Sequence, residues 1–141
     1  MPEALSDDEI GFLLDVLDLA RHGRTERLAE LLEAGVPANL TNAAGDSLLI
    51  LAAYHGQSET LRLLLGRGAD TARVNDRGQT ALAAAVFRQD AGIVEMLLAA
   101  GADPHHGGRS AVEIARFFQL EEMLRLLGQH PAEDGAQPRP Q

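Results

Sequence analysis

Cysteine is absent from the 141-residue sequence, which excludes a disulfide framework, a thiolate metal site and a thiol nucleophile. Tryptophan is missing too, and the aromatics are only Phe12, Tyr54, Phe87, Phe117 and Phe118. Positive charge is scarce: twelve basic residues, all arginine, stand against 21 acids for a formal charge of −9. Such a chain is repelled by phosphate backbones and anionic lipid, so neither nucleic acid nor a membrane is an expected partner. No run approaches the roughly 18 uncharged apolar residues of a membrane span. The opening "MPEALSDDEIGFLL" carries Asp7, Asp8 and Glu9 where a secretion signal requires an apolar core. The expected location is the cytoplasm.

What is present is a repeat. Gly35, Gly68 and Gly101 fall 33 residues apart, after "LLEA", "LLGR" and "LLAA". On that period "ARHGRTERLAELLEAG" (20–35) overlays "AYHGQSETLRLLLGRG" (53–68) and "VFRQDAGIVEMLLAAG" (86–101), while "NAAGDSLLILA" (42–52) overlays "NDRGQTALAAA" (75–85). A fourth unit, "GRSAVEIARFFQLEEMLRLLG" (108–128), fits if three residues are removed from the loop before it.

Each unit reads as two short helices. Ser47, Thr80 and Ser110 stand just before apolar runs, where a hydroxyl accepts an otherwise orphaned backbone N–H. In the second helix Leu61, Leu64 and Leu65, and again Val94, Leu97 and Leu98, have the spacing of a buried stripe. Gly56 separates the two helices. Gly68 and Gly101 suit the left-handed position that stops the second, because glycine takes positive φ without a Cβ penalty. Gly45 and Gly78, three residues after Asn42 and Asn75, mark the tips of turns between units. The pairs Ala52, Ala53 and Ala84, Ala85 allow neighbouring first helices to approach closely.

With these elements in place, "GADTARVNDRGQTALAAAV" and "GQSETLRLLLGRGAD" resemble the ankyrin-repeat consensus, and the likeness runs over residues 15–127. The resemblance implies an all-α solenoid of about four helix-turn-helix units with short turn fingers. Where the family has Thr-Pro-Leu-His, this chain has Ser-Leu-Leu-Ile at 47–50, Thr-Ala-Leu-Ala at 80–83 and Ser-Ala-Val-Glu at 110–113; the proline and the histidine are missing throughout. The expected repeat domain covers 1–128, with units near 6–38, 39–71, 72–104 and 105–128. The ends must close the core with polar faces. Asp15, Asp18, Arg21 and a Ser6 to Glu9 capping box do so at one end, and Gln119, Glu121, Glu122 and Arg125 at the other. Residues 129–141, rich in proline and nearly devoid of large apolar groups, are expected to be disordered.

Signs of catalysis are weak. The hydroxyls at Ser47, Thr80 and Ser110 are explained as caps, there is no phosphate-binding glycine loop and no H-E-x-x-H, and adjacent carboxylates such as Asp7 and Asp8 or Glu121 and Glu122 point in different directions. The chain is expected to be neither an enzyme nor a cofactor binder. His105 and His106 could share a metal only if a third ligand arrived, for which Asp103 is the candidate; a small metal-binding protein is thus one alternative reading. His22 and His55 occupy equivalent repeat positions, and His130 lies in the tail.

The expected function is protein–protein interaction through the concave face made by turn tips and first helices. Near the end of each first helix one repeat column holds Arg21, Tyr54, Phe87 and Phe117, and the next holds His22, His55, Arg88 and Phe118. Ankyrin proteins, by resemblance, use these positions to touch partners, and clustered aromatics with arginine are what interface hot spots are made of. Tyr54, His55, Phe87, Arg88 and Phe117 are therefore candidate partner-binding residues, with Phe118 assigned to the core or cap. Asp46, Asp76, Arg77, Gln79 and Arg109 add polar contacts from the turn tips. The competing assignment tucks the rings between repeats. The acid-rich first helix leaves open an inhibitor or immunity-type protein masking a toxin or enzyme. A monomer with an unidentified protein partner is expected.

Overall fold

Hydroxyl caps, left-handed reversals and a 33-residue period leave the backbone little choice, and the computed structural model, which describes residues 5–129, realises them as paired helices. Among the described residues these are α1 (Asp7–His22), α2 (Thr25–Glu33), α3 (Leu48–Tyr54), α4 (Ser58–Gly66), α5 (Ala81–Arg88), α6 (Ala91–Ala99), α7 (Ala111–Phe117) and α8 (Glu121–Leu126). No strand forms among them; a lone bridge joins Thr41 and Ser47. The tail expected to be disordered lies outside the described residues beyond Gln129, and His130 with it.

The caps form where the sequence places them. Ser47 Oγ accepts from the Ile50 amide, Thr80 Oγ1 from Ala83 and Ser110 Oγ from Glu113, at 3.1, 3.1 and 3.2 Å. Ser6 and Glu9 complete a capping box at the head of α1. The phrase repeated at Gly35, Gly68 and Gly101 is a double-bonded helix stop. In the second unit the Gly68 amide bonds Leu65 O and the Ala69 amide bonds Leu64 O, both at 3.0 Å, and the third unit repeats this at Gly101 and Ala102. Gly68 and Gly101 sit at φ 80° and 93°, the left-handed region this motif requires.

Packing follows from residue size. Helices α1, α3, α5 and α7 stack side by side in one layer, and α2, α4, α6 and α8 in a second. The inner helices α3 and α5 bury Leu48 to Ala53 and Ala81 to Val86 almost without exposure, so the alanine pairs set the close approach; the outer helices contribute Leu28, Leu61, Leu64, Ile93, Leu97 and Met123. One continuous core runs the length of the stack. Between units, asparagine ties the fingers: Asn75 Oδ1 accepts from the Arg77 and Gln79 amides, each at 2.9 Å, and its Nδ2 donates to Asp46 Oδ1 at 2.8 Å. Adjacent fingers are also joined through the backbone, Asp76 N to Ala44 O and Arg109 N to Gly78 O, both 2.9 Å.

Helix α1 departs from the repeat. It has 16 residues where α3 and α5 have 7 and 8, so residues 7–14 extend it by about 12 Å. That extension leaves Ile10, Phe12 and Leu14 exposed beside Asp7, Asp8 and Glu9. Among the described residues no helix is long and apolar enough to cross a membrane.

Candidate functional site

Tyr54 is the last residue of α3 and Phe87 the last but one of α5. Each follows a buried alanine or valine, and the helix turn that hides its predecessor carries it out of the core. Their rings stack, with centroids 6.2 Å apart and planes 7° from parallel. The file continues edge to face from Phe87 to Phe118 at 5.7 Å and from Phe118 to Phe117 at 4.9 Å, and in the other direction from Tyr54 to His55 at 5.2 Å. These are favourable aromatic geometries, yet Tyr54, Phe87, Phe117 and Phe118 remain 39, 44, 80 and 51% exposed. The Arg88 guanidinium carbon lies 5.9 Å from the Tyr54 ring centre, a cation–π distance.

Phe118, expected in the core or cap, lies outside the core. Helix α7 ends at Phe117, and the left-handed Gln119, φ 56°, turns the chain immediately afterwards. Two consecutive aromatics are thereby left outside, and the second ring meets Phe87 rather than the core. The sequence signal was there, since Phe118 shares a repeat column with Arg88, but residue type suggested burial.

A cleft of about 480 Å³ opens between the ring file and the fingers, lined by Phe87, Phe117, Phe118, Gln79, Arg109 and Glu113. The fold thus brings Phe87, Phe117, Gln79 and Arg109 to one cleft, with Tyr54, His55 and Arg88 on the adjoining ridge. The remaining expected contacts are not gathered there. Asp46 is engaged in the tie to Asn75, while Asp76 and Arg77 are exposed at a finger tip.

His55 loses basicity in this setting. Desolvation lowers its pKa below 6.5, the nearby Arg21, Arg88 and His22 lower it further, and Asp46 opposes them. Because folding depresses this pKa, the unfolded chain binds the proton first. Stability therefore decreases slightly as pH falls from about 6.5 towards the folded midpoint and levels off below it. An NMR titration is expected to place the His55 midpoint below 6.5; Arg88→Gln should raise it and Asp46→Asn lower it. A midpoint unmoved by Arg88→Gln would mean that no field from that arginine reaches the imidazole.

The proposed third metal ligand is otherwise occupied. Asp103 Oδ1 accepts from the His105 amide at 2.9 Å, His106 Nε2 lies 2.9 Å from Ala72 O, and among the described residues no three His, Asp or Glu side chains are grouped to hold a metal ion. The shortened loop folds back on the preceding finger instead.

The family model describing ankyrin repeats in three copies matches residues 17–107. A Pseudomonas aeruginosa protein described as an ankyrin repeat protein is 54% identical over 43 residues, which is 30% of this chain and 25% of that relative. The chain thus matches about a quarter of that relative's length.

Proposed function

Because this chain belongs to the ankyrin-repeat family, we propose that it is a non-catalytic adaptor that holds a partner protein on its concave side, along the ridge of Tyr54, Phe87, Phe117 and Phe118 and the cleft between that ridge and the fingers. Ankyrin repeats generally serve as protein–protein interaction modules. On this reading the chain acts as a cytoplasmic monomer, without metal or cofactor.

The observation that carries the proposal is the exposed ring file. Four aromatics in mutual contact yet open to water are an unusual use of large apolar area in a chain with so few, and aromatic anchors and arginine are enriched among interface hot spots. The rings touch one another and stand outside the buried core, so their loss should weaken binding more than folding. In a pull-down from the native cell, the Tyr54→Ala, Phe87→Ala double variant is expected to lose the captured partner, with affinity down about 30-fold or more and a melting temperature within a few degrees of the parent. An unchanged capture, or a large fall in melting temperature, would return these rings to a structural role.

A further inference from the structure

The outer layer carries Glu30, Glu33 and Glu121, with Arg27, Arg67 and Arg125 neutralised against them at 2.9, 2.8 and 3.7 Å. On the ridge side the inner helices α3 and α5 contain no acid at all. Of the carboxylates on this side, Asp18 pairs with Arg21, while Asp46 and Glu113 keep their charge and accept from neutral donors, the Asn75 side chain and the Ser110 amide. By contrast Arg77, Arg88 and Arg109 are exposed and form no ion pair among the described residues; Asp76, at the finger tip, offsets them in part. A chain of net charge −9 therefore keeps three guanidinium groups on its aromatic side with no carboxylate partner of their own among the described residues.

Arg109 lines the cleft, Arg88 stands on the adjoining ridge and Arg77 at the finger tip, and these unpaired groups define a complementary ligand: carboxylates for the fork-shaped donors, and a ring or branched side chain for the cavity. We infer that the ridge receives an acidic segment of its partner protein, whose carboxylates pair with Arg88, Arg109 and Arg77 while one apolar side chain enters the cleft beside Phe87. This rests on the ridge being the binding face. Single-stranded nucleic acid would also stack on rings and pair with arginine, but a long polyanion would meet the acidic remainder of the chain, whereas a short acidic segment would not.

Panning a random dodecapeptide library on the full chain tests this. Enriched peptides are expected to carry net negative charge and at least one aromatic or branched apolar residue. Their affinity, read by fluorescence anisotropy, should fall about tenfold in Arg88→Gln, Arg109→Gln, and should decline steeply with added salt. Both arginines are exposed, so a circular dichroism melt should match the parent. Neutral or basic winners, no enrichment, indifference to the arginine variant, or tighter binding of oligothymidine would each overturn the inference. Peptides lost in the Tyr54→Ala, Phe87→Ala variant but retained in the arginine variant would leave the ridge standing and remove only its charge preference. Peptides indifferent to both variants would remove the ridge as well.

Discussion

Leu82→Ala is expected to lower the free energy of unfolding by about 3–4 kcal/mol, read as a fall in the midpoint of a urea titration. Leu82 is completely buried in α5, and α5 packs against α3, α6 and α7, so the leucine closes the core of a central unit from several sides. Its neighbours on the helix, Ala83, Ala84 and Ala85, have no atoms with which to fill the space. Helices packed against α5 on several sides limit the collapse of the cavity, which puts the cost within the usual range for a buried leucine. In a linear repeat each unit is stabilised mainly by its neighbours; a weakened middle unit should therefore also broaden the transition. A loss under about 1 kcal/mol would mean that the units fold independently of this contact.

Gly107→Ala is expected to cost about 2–4 kcal/mol and to act locally. Gly107 lies at φ 102°, and a Cβ there would come within 2.7 Å of Gly78 O, the oxygen that accepts from the Arg109 amide. Strain and collision combine, because the obstructing atom belongs to a backbone finger that is itself tied down. Hydrogen exchange should show faster opening at Arg109 and through α7 and α8, with α3 unaffected. Gly11→Ala provides the contrast: that glycine lies within α1 with nothing near its missing Cβ, so the change should be neutral or stabilising by up to about 1 kcal/mol. Equal effects of the two substitutions would show that the loop-to-finger contact contributes nothing.

Much of the architecture was legible because its signals are local. A cap needs one hydroxyl three residues ahead of an amide, and a helix stop needs one glycine, so Ser47, Thr80 and Ser110 and the recurring Gly35, Gly68 and Gly101 announce helix ends without reference to distant residues. Other local features were masked by atypical residue choice. Gln89 and Gln119 take the left-handed place that Gly23 and Gly56 hold in the earlier units, at φ 57° and 56°, and Asp90 caps α6 through a bond of 3.1 Å to the Ile93 amide. The repeat alignment points to the glutamines only once positive φ is known to recur there. The extension of α1 is not legible, since a repeat period is silent about residues that precede it.

The candidate site divides along the same line. The columns holding Tyr54, Phe87 and Phe117 are visible in the sequence as a period, and so is the placement of Arg88 and His55 beside them. Whether those rings are interior or exterior is not, because exposure depends on how closely adjacent units stack. The alanine pairs bring the helices near enough for the rings to contact each other above the core, where a wider spacing would let them sink between units. Phe118 joins the file because α7 ends at Phe117 and Gln119 turns the chain. Sequence by itself determined the repeat, its helix boundaries and the net acidic charge, all carried by neighbours along the chain. Only the tertiary structure decided which carboxylates are already bonded and which arginines are left without one. Pairing of that kind, as between Asn75 and Asp46 or Arg67 and Glu33, joins residues about one repeat apart and exists only after the units have stacked.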